Sequence, residues 1–457
     1  MDSGLSSRER ERQYYLNPFT NLPQREANPS LVVKRGKGVY VYDEDGREYL
    51  EGLSGLWCCS LGFSEERLAK VAYQQMQDLP YYHSFTGKIP AVTVELAERL
   101  VKLAPSPLSR VIFANSGSES NDTAVKIVWY YNNTLGRPEK KKIIARQRGY
   151  HGVTVVAGSL TGLSYAQDGF DLPVDRFRHT DCPHHYRYAN PGESEEDFAT
   201  RMADNLDQLI IAEGPETVAA FIAEPIQGAG GVIVPPATYF EKIQSVLKKH
   251  DVLFIADEVI CGFGRTGNMF GSQTYNIIPD LMTVAKQLSA AYLPISGLMV
   301  SEQVFDALSE QSGKLGLFGH GYTYSGHPVP AAVALETLKI YEERDIVARV
   351  RELHPKLKAG LSELGNHPLV GHHRCVGLIG GLEIVEDKAS KQSFEASKKV
   401  AAFVAKRAQE HGLIVRPLPG DIVGCCPPLI ISEAEIDQFM DRLGKALDDA
   451  AQHFGVN

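Results

Sequence analysis

Val252-Leu253-Phe254-Ile255-Ala256-Asp257 and Asp280-Leu281-Met282-Thr283-Val284-Ala285-Lys286 are two apolar runs of strand length, each ending in a charged residue. Uninterrupted apolar runs of four to eight residues fit strands covered on both faces. An ion pair, or strand ends that face solvent, explains any one such charge. Taken together, the two ends also match a specific chemistry. Buried lysines shift their pKa readily and form Schiff bases. An aspartate facing a heterocyclic ring nitrogen tunes an organic cofactor. That reading requires a phosphate site, a ring-stacking residue and a substrate pocket elsewhere in the chain.

Outward from these runs, strand-like and helical patterns alternate from about residue 64 to 330. The expected strands are Arg110–Ala114, Lys142–Ala145, Val218–Ala223, Val252–Ala256, Leu281–Ala285 and Gly297–Val300. Between them, Ser64 is positioned to cap a helix with Leu68, Val71 and Ala72 inward. Tyr239, Phe240, Ile243, Val246 and Leu247 recur at helical spacing in a second helix. This alternation predicts an α/β fold with a mostly parallel sheet sandwiched by helices. Asp45-Gly46, between Val39-Tyr40-Val41-Tyr42 and Glu48-Tyr49-Leu50, is a hairpin signal. After residue 330 long helical patterns frame short apolar runs, and Ser432 with Glu435 forms a capping box before Ile436, Phe439, Met440, Leu443 and Leu447. We expect a large domain over residues 63–329 and a smaller α+β domain over residues 330–457, which the N-terminal segment 1–62 joins.

A chain of 457 residues has room for two or three domains. Its 43% hydrophobic and 23% charged residues are ordinary for a globular protein. The net charge of -9 argues against a nucleic-acid surface. Seven scattered cysteines, with adjacent pairs at Cys58-Cys59 and Cys425-Cys426, do not resemble a disulfide framework. The opening MDSGLSSRERERQYY lacks an apolar core and carries acids, unlike secretory or transit signals. The longest uncharged stretch, Gln287 to Ser301, is short and broken by Pro294 and Gly297. The expectation is a cytoplasmic protein with no membrane partner.

Four loops follow expected strands. Asn115-Ser116-Gly117-Ser118-Glu119-Ser120 opens a helix that ends near Gly136, and its small residues let backbone N–H groups approach a phosphate. A plain serine cap accounts for the same residues. Tyr150-His151-Gly152 places an aromatic at a strand end, able to stack on a flat ring or to pack in the core. Glu224-Pro225-Ile226-Gln227-Gly228-Ala229-Gly230-Gly231 implies close backbone approach. Gly262-Phe263-Gly264-Arg265-Thr266-Gly267 spells a dinucleotide fingerprint, but the following Asn268-Met269-Phe270-Gly271 opens no good helix. Cys182, His184 and His185 form half of a zinc pattern without a second half, so no metal site is expected.

NSGSESND (115–122), YHG (150–152), EPIQGAGG (224–231), ADEVICGFGRTG (256–267), the strand ending in Lys286, and HGYTYSGHP (320–328) occur in that order. The ordered set resembles the class III aminotransferases, fold-type I enzymes that use pyridoxal 5′-phosphate, from about Phe19 to Pro428. GLWC (55–58) and YYHSF (81–85) resemble the amine:pyruvate and 4-aminobutyrate:pyruvate members. The resemblance implies that Lys286 carries the cofactor as a Schiff base and then shuttles the substrate proton. It implies that Asp257 holds the pyridine nitrogen protonated, and that Val259 and Tyr150 cover the two ring faces. Ser116, Gly117 and Ser118 fall to the phosphate, with His151 and Glu224 also in the cofactor shell. Thr323 resembles a threonine that reaches the neighbouring subunit's phosphate, which implies a homodimer, or a tetramer, with shared sites.

Substrate choice is likewise read from the resemblance. Relatives acting on glutamate or 2-oxoglutarate often carry a glutamate where this chain has Ala229, and mammalian-type 4-aminobutyrate enzymes an arginine where it has Val153. Losing that guanidinium removes a bidentate carboxylate partner. A small oxo-acid such as pyruvate or glyoxylate is the expected acceptor. Arg416 resembles the mobile arginine of amine:pyruvate members, and Phe19, Trp57 and Phe85 their aromatic lining. The expected reaction moves an amino group from a terminal amine or ω-amino acid to pyruvate through pyridoxamine phosphate. A glutamate-semialdehyde-type aminomutase and a decarboxylase of the same fold are alternatives. An NAD-dependent oxidoreductase built on Gly262–Gly267 is a more distant one.

Overall fold

The computed structural model describes residues 5–25 and 30–456. A seven-stranded sheet holds Leu108–Ala114, Ser296–Ser301, Leu281–Val284, Leu253–Asp257, Val218–Ala223, Lys142–Arg146 and Phe177–Thr180 in that spatial order. Ser296–Ser301 runs against the other six strands, and the pairs among the rest are parallel. The six strands expected from the sequence are present, each within two residues at either end.

Their apolar runs are unbroken because the sheet is covered twice. Alternate residues point to opposite faces of a strand, and here both faces lead into apolar clusters. Phe221, Ala223, Phe254, Ala256, Met282 and Val284 join one cluster with Phe240 and Ile243 of helix Tyr239–Lys249. Ala220, Ile222, Leu253, Ile255 and Leu281 join the other with Val125 and Val128 of helix Gly117–Thr134. Burying such side chains is worth roughly 1.5–3 kcal/mol each, so neither face tolerates a charge. The charges are confined to the strand ends.

Two smaller sheets flank this unit. One pairs Val33–Lys37, Tyr40–Asp43 and Glu48–Glu51 with Leu413–Ile414, so early and late chain segments share a sheet. The expected hairpin turns at Gly46, where φ is 84°. The other contains Val370–Val376, Ile379–Ile384, Ile422–Cys425 and, at its edge, Arg416–Leu418. Helix Glu433–Phe454 begins with the expected Ser432–Glu435 capping box.

Ser64 departs from expectation. It does not cap helix Glu66–Asp78, whose cap position is Glu65. The chain turns sharply there, with φ of 65° at Ser64, and the hydroxyl donates to the Gly36 carbonyl at 2.6 Å. A backbone acceptor from a distant strand outcompetes the local helix start.

Candidate active site

All the parallel strands deliver their carboxyl ends to one edge of the sheet, the edge where open α/β sheets bind ligands. Asp257 and Glu224 end two of them, residues 115–118 and 147–152 follow two others, and Lys286 follows a fifth. Together they line a cavity of about 340 Å³. Ser116, Gly117, Ser118, Tyr150, His151, Glu224, Asp257, Val259 and Lys286 all face it.

Asp257 is buried and fully engaged. Its Oδ2 accepts from Asn121 Nδ2 at 2.9 Å and lies 2.7 Å from His151 Nδ1, while Oδ1 accepts from Val259 N at 3.1 Å. Burial pushes the carboxyl toward its neutral form. The His151 contact and charge, with the Asn121 amide, outweigh that and hold it below the usual carboxylate range. The result is a fixed anion pointing into the cavity.

Lys286 stands at φ 47°, a left-handed conformation uncommon for a residue with a side chain. Gln287 pins the next position by donating to the Ile260 carbonyl at 2.7 Å. Desolvation lowers the Lys286 amine below its ordinary pKa, opposed by Asp257, Cys58 and Glu224 and assisted by Arg416. Among the described residues its Nζ makes no hydrogen bond. A lysine in this condition is readier to act as nucleophile and base.

The helix Gly117–Thr134 opens onto the same cavity. Ser116 Oγ accepts from Glu119 N at 3.2 Å, so the expected cap is present. That does not displace the anion reading, because the N–H groups of Gly117 and Ser118 stay directed past the helix end. A side chain at Gly117 would meet both Val259 methyls at 3.1 Å, and one at Gly152 would meet Ser118 Oγ at 2.3 Å. Glu224 is structural in its contacts: its Oε1 accepts from Tyr150 N at 3.0 Å and its Oε2 from Gly228 N at 2.9 Å.

A second cavity, of about 540 Å³, collects Phe19, Tyr165, Ala229, Arg416 and Leu418. Phe19 and Tyr165 meet edge to face at 6.1 Å. The charge of Arg416 acts on Tyr150, Tyr165 and Lys286, which ties this cavity to the first. Burial, reinforced by Tyr150 and opposed by Arg416, raises the Tyr165 hydroxyl to about 12.

Three expected site residues lie in neither cavity. Trp57 is buried with Leu53, Ile226, Val232, Ile260 and Leu418, in a left-handed backbone conformation of φ 63°. Phe85 lines a separate cavity of about 740 Å³ with residues 317–321. Thr323 is exposed, and its carbonyl accepts from Tyr81 Oη at 2.8 Å.

Sequence reasoning missed Asn121, Cys58 and Tyr165. Asn121 lay inside a quoted motif, and only the helix geometry turns it toward Asp257. Cys58 lines the cavity, and its neighbour Cys59, ahead of the charges of Lys286 and Arg265, lowers its thiol below the ordinary value despite burial. Tyr165 carried no signal. The decoys resolve as packing. Residues 262–267 open no helix, and Arg265 donates to the Leu378 and Pro427 carbonyls at 3.0 and 2.6 Å. Cys182, His184 and His185 turn to Gln227, Glu383 and the Glu193 carbonyl. Among the described residues no cluster is arranged to hold a metal ion.

The family profile "Aminotransferase class-III" matches residues 22–447. The chain is 51% identical to gamma aminobutyrate transaminase 3, chloroplastic, of Solanum lycopersicum, over 95% of this chain and 84% of that protein. It is 50% identical to vanillin aminotransferase of Capsicum frutescens, over 95% and 94%. The solved omega transaminase from Pseudomonas jessenii in complex with PMP superposes with a TM-score of 0.97 at 53% identity, covering 99% of each chain. Class-III aminotransferases use pyridoxal 5′-phosphate, and the residues present fit that group. An anion for a ring nitrogen, a helix start for a phosphate, a free amine, and a glycine whose side chain would fill the cradle line one cavity. Profile, relatives and cavity agree: the chain belongs to the class-III aminotransferase family.

Proposed function

We propose that the protein is an ω-transaminase that moves the amino group of a terminal amine or ω-amino acid to pyruvate in two half-reactions. When bound, the cofactor supplies an electron sink for charge developing on the substrate carbon. Asp257 would hold a proton on the ring nitrogen of the bound group. Lys286 takes the proton from the amine-bearing carbon and returns it on the other side of the reaction. Tyr150 and Val259 exclude water from the two faces of the cavity.

The observation that carries the acceptor assignment is Arg416. Among the described residues its guanidinium has no carboxylate within 4.0 Å and makes no side-chain hydrogen bond. It shares its cavity with Ala229, which cannot neutralise it, and with Phe19 and Tyr165, which suit an apolar amine substituent. Val153 is exposed and supplies no second cation. The Arg416 guanidinium, free of hydrogen bonds among the described residues, suits an acceptor with one carboxylate, as in pyruvate.

A homodimer belongs to the same reading. Tyr81, Tyr82, Phe85, Ile89, Leu317 and Tyr324 are exposed apolar residues on one lobe, where Ser84 and Thr93 tie residues 81–93 to the loop carrying Thr323. Such a patch marks an interface. In this reading a second copy covers the patch, and Phe85 and Thr323 serve the site of the partner. All seven cysteines are free, which supports a reducing compartment such as the cytoplasm.

The first test is spectroscopic. An amine without a carboxylate should bleach the visible band of the cofactor-loaded enzyme, and pyruvate should restore it. Restoration by 2-oxoglutarate but not by pyruvate would reject the acceptor assignment. In Arg416→Ala, the KM for pyruvate should rise roughly 10- to 100-fold, the worth of a charge-assisted pair. The amine half-reaction should change little, and equal damage to both halves would refute the role of Arg416.

A further inference from the structure

Arg148 sits where three segments of the site meet. It stands two residues before Tyr150, at φ 63°. Its Nη2 donates to the Pro419 carbonyl at 2.7 Å, a contact spanning 271 positions of sequence. Pro419 lies at the tip of the hairpin formed by Arg416–Leu418 and Ile422–Cys425, where Gly420 and Asp421 both take positive φ. Two glycines make room for the guanidinium: a side-chain carbon at Gly231 would lie 3.0 Å from Nη2, and one at Gly420 3.2 Å. The backbone is equally crowded, since a side-chain carbon at Gly230 would lie 1.9 Å from the Arg148 carbonyl oxygen. Among the described residues no carboxylate pairs with this cation. The loops that carry Tyr150 and Ala229 and the hairpin that carries Arg416 therefore all close on one side chain.

We propose that Arg148 is a positioning residue for the acceptor half-reaction: it clasps the tip of the 416–425 hairpin to the Tyr150 loop and so fixes the base from which Arg416 reaches the acceptor carboxylate. The inference rests on the reading of Arg416 given above. Asp421 ties the far side of the hairpin turn to Ala401 N at 3.0 Å, and Arg148 ties the Pro419 side, next to the three-residue edge strand Arg416–Leu418 that carries Arg416. A swinging arginine delivers its charge reproducibly only from a fixed backbone, whereas an amine that lacks a carboxylate makes no demand on Arg416. Loss of the clasp therefore acts on one half-reaction. A merely structural staple acts on both, through stability.

The test uses the full-length, cofactor-loaded protein with Arg148→Ala, Arg148→Lys and, as a control, Arg416→Ala. Amide hydrogen exchange over residues 414–424 reads the hairpin directly. It should quicken roughly tenfold in Arg148→Ala, as expected for one lost hydrogen bond to a charged group. The KM for pyruvate should rise by a similar factor, while the amine half-reaction and the melting temperature stay near wild type. Arg148→Lys, which retains a donor for the Pro419 carbonyl, should recover part of both effects. Unchanged exchange and KM in Arg148→Ala, or equal slowing of both halves with a lower melting temperature, overturns the proposal. If Arg416→Ala also fails to separate the halves, the fault lies in the acceptor reading. If Arg416→Ala separates them and Arg148→Ala does not, only the clasp is lost.

Discussion

In Lys286→Ala, turnover of every amine is expected to fall by about 10⁴-fold or more, since nucleophile and proton carrier are lost in one side chain. The fold should survive, with circular dichroism and melting temperature near wild type. The structure supports that separation. The Lys286 amine makes no hydrogen bond among the described residues, and desolvation already disfavours its charge. Its removal therefore breaks no hydrogen bond, and the attraction it loses to Asp257, Cys58 and Glu224 is smaller than the desolvation it relieves. The strained φ of 47° is tolerated by alanine about as well as by lysine, so the backbone has no new reason to move. Single-turnover absorbance measures the loss. Turnover that survives in a folded Lys286→Ala protein contradicts the role assigned to this residue.

Asp257→Asn should be the next most damaging change, costing roughly 10²–10³-fold in both half-reactions, the usual scale for a preorganised charge at a reacting centre. The carboxylate is needed as an anion, and asparagine has its shape without its charge. Asparagine is also mispaired. Oδ2 faces the Asn121 amide and His151, and Oδ1 faces the Val259 N–H. Whichever way the new amide is turned, its NH₂ meets a donor, and a buried unsatisfied donor costs about 1–3 kcal/mol. Stability should therefore fall modestly, in contrast to Lys286→Ala. The acid side of the pH profile tests the same point. The Asp257 pKa is lowered, so the carboxylate stays ionised as pH falls and is protonated only below the ordinary aspartate range. Both half-reactions should show no acid limb from this group above about pH 5. Wild-type rates in Asp257→Asn would remove the aspartate from the chemistry.

Much of the fold was legible because its physical cause is local. Strands covered on both faces need unbroken apolar runs, and such runs mark Val218–Ala223 and Leu253–Asp257 whatever surrounds them. The capping box at Ser432 is equally local, since both of its hydrogen bonds span three residues. Ser64 was misread by the same logic, because its acceptor, the Gly36 carbonyl, lies in another sheet.

The chemical residues divide in the same way. Asp257 and Lys286 stood out because a strand buried on both faces has no place for a charge except its end. Nothing in the sequence said that their strands are adjacent and parallel, with Asp257 opposite Thr283. Asn121 and His151 hold Asp257 ionised through contacts across 136 and 106 positions. The Trp57 indole, expected beside the substrate, is buried against Ile260 and Leu418, which line the two cavities, and the left-handed turn at residues 54–57 that sets it there has no local signal.

The sequence by itself determined the strand and helix segments, because apolar periodicity and capping act over a few residues, and it marked two charges at strand ends whose chemistry the resemblance of the ordered motifs then supplied. Tertiary structure alone decided which loops share a cavity, how the aspartate keeps its charge, and that Arg148 meets the Arg416 hairpin. Those outcomes depend on distances between segments hundreds of residues apart, which are set only when both faces of the sheet are packed.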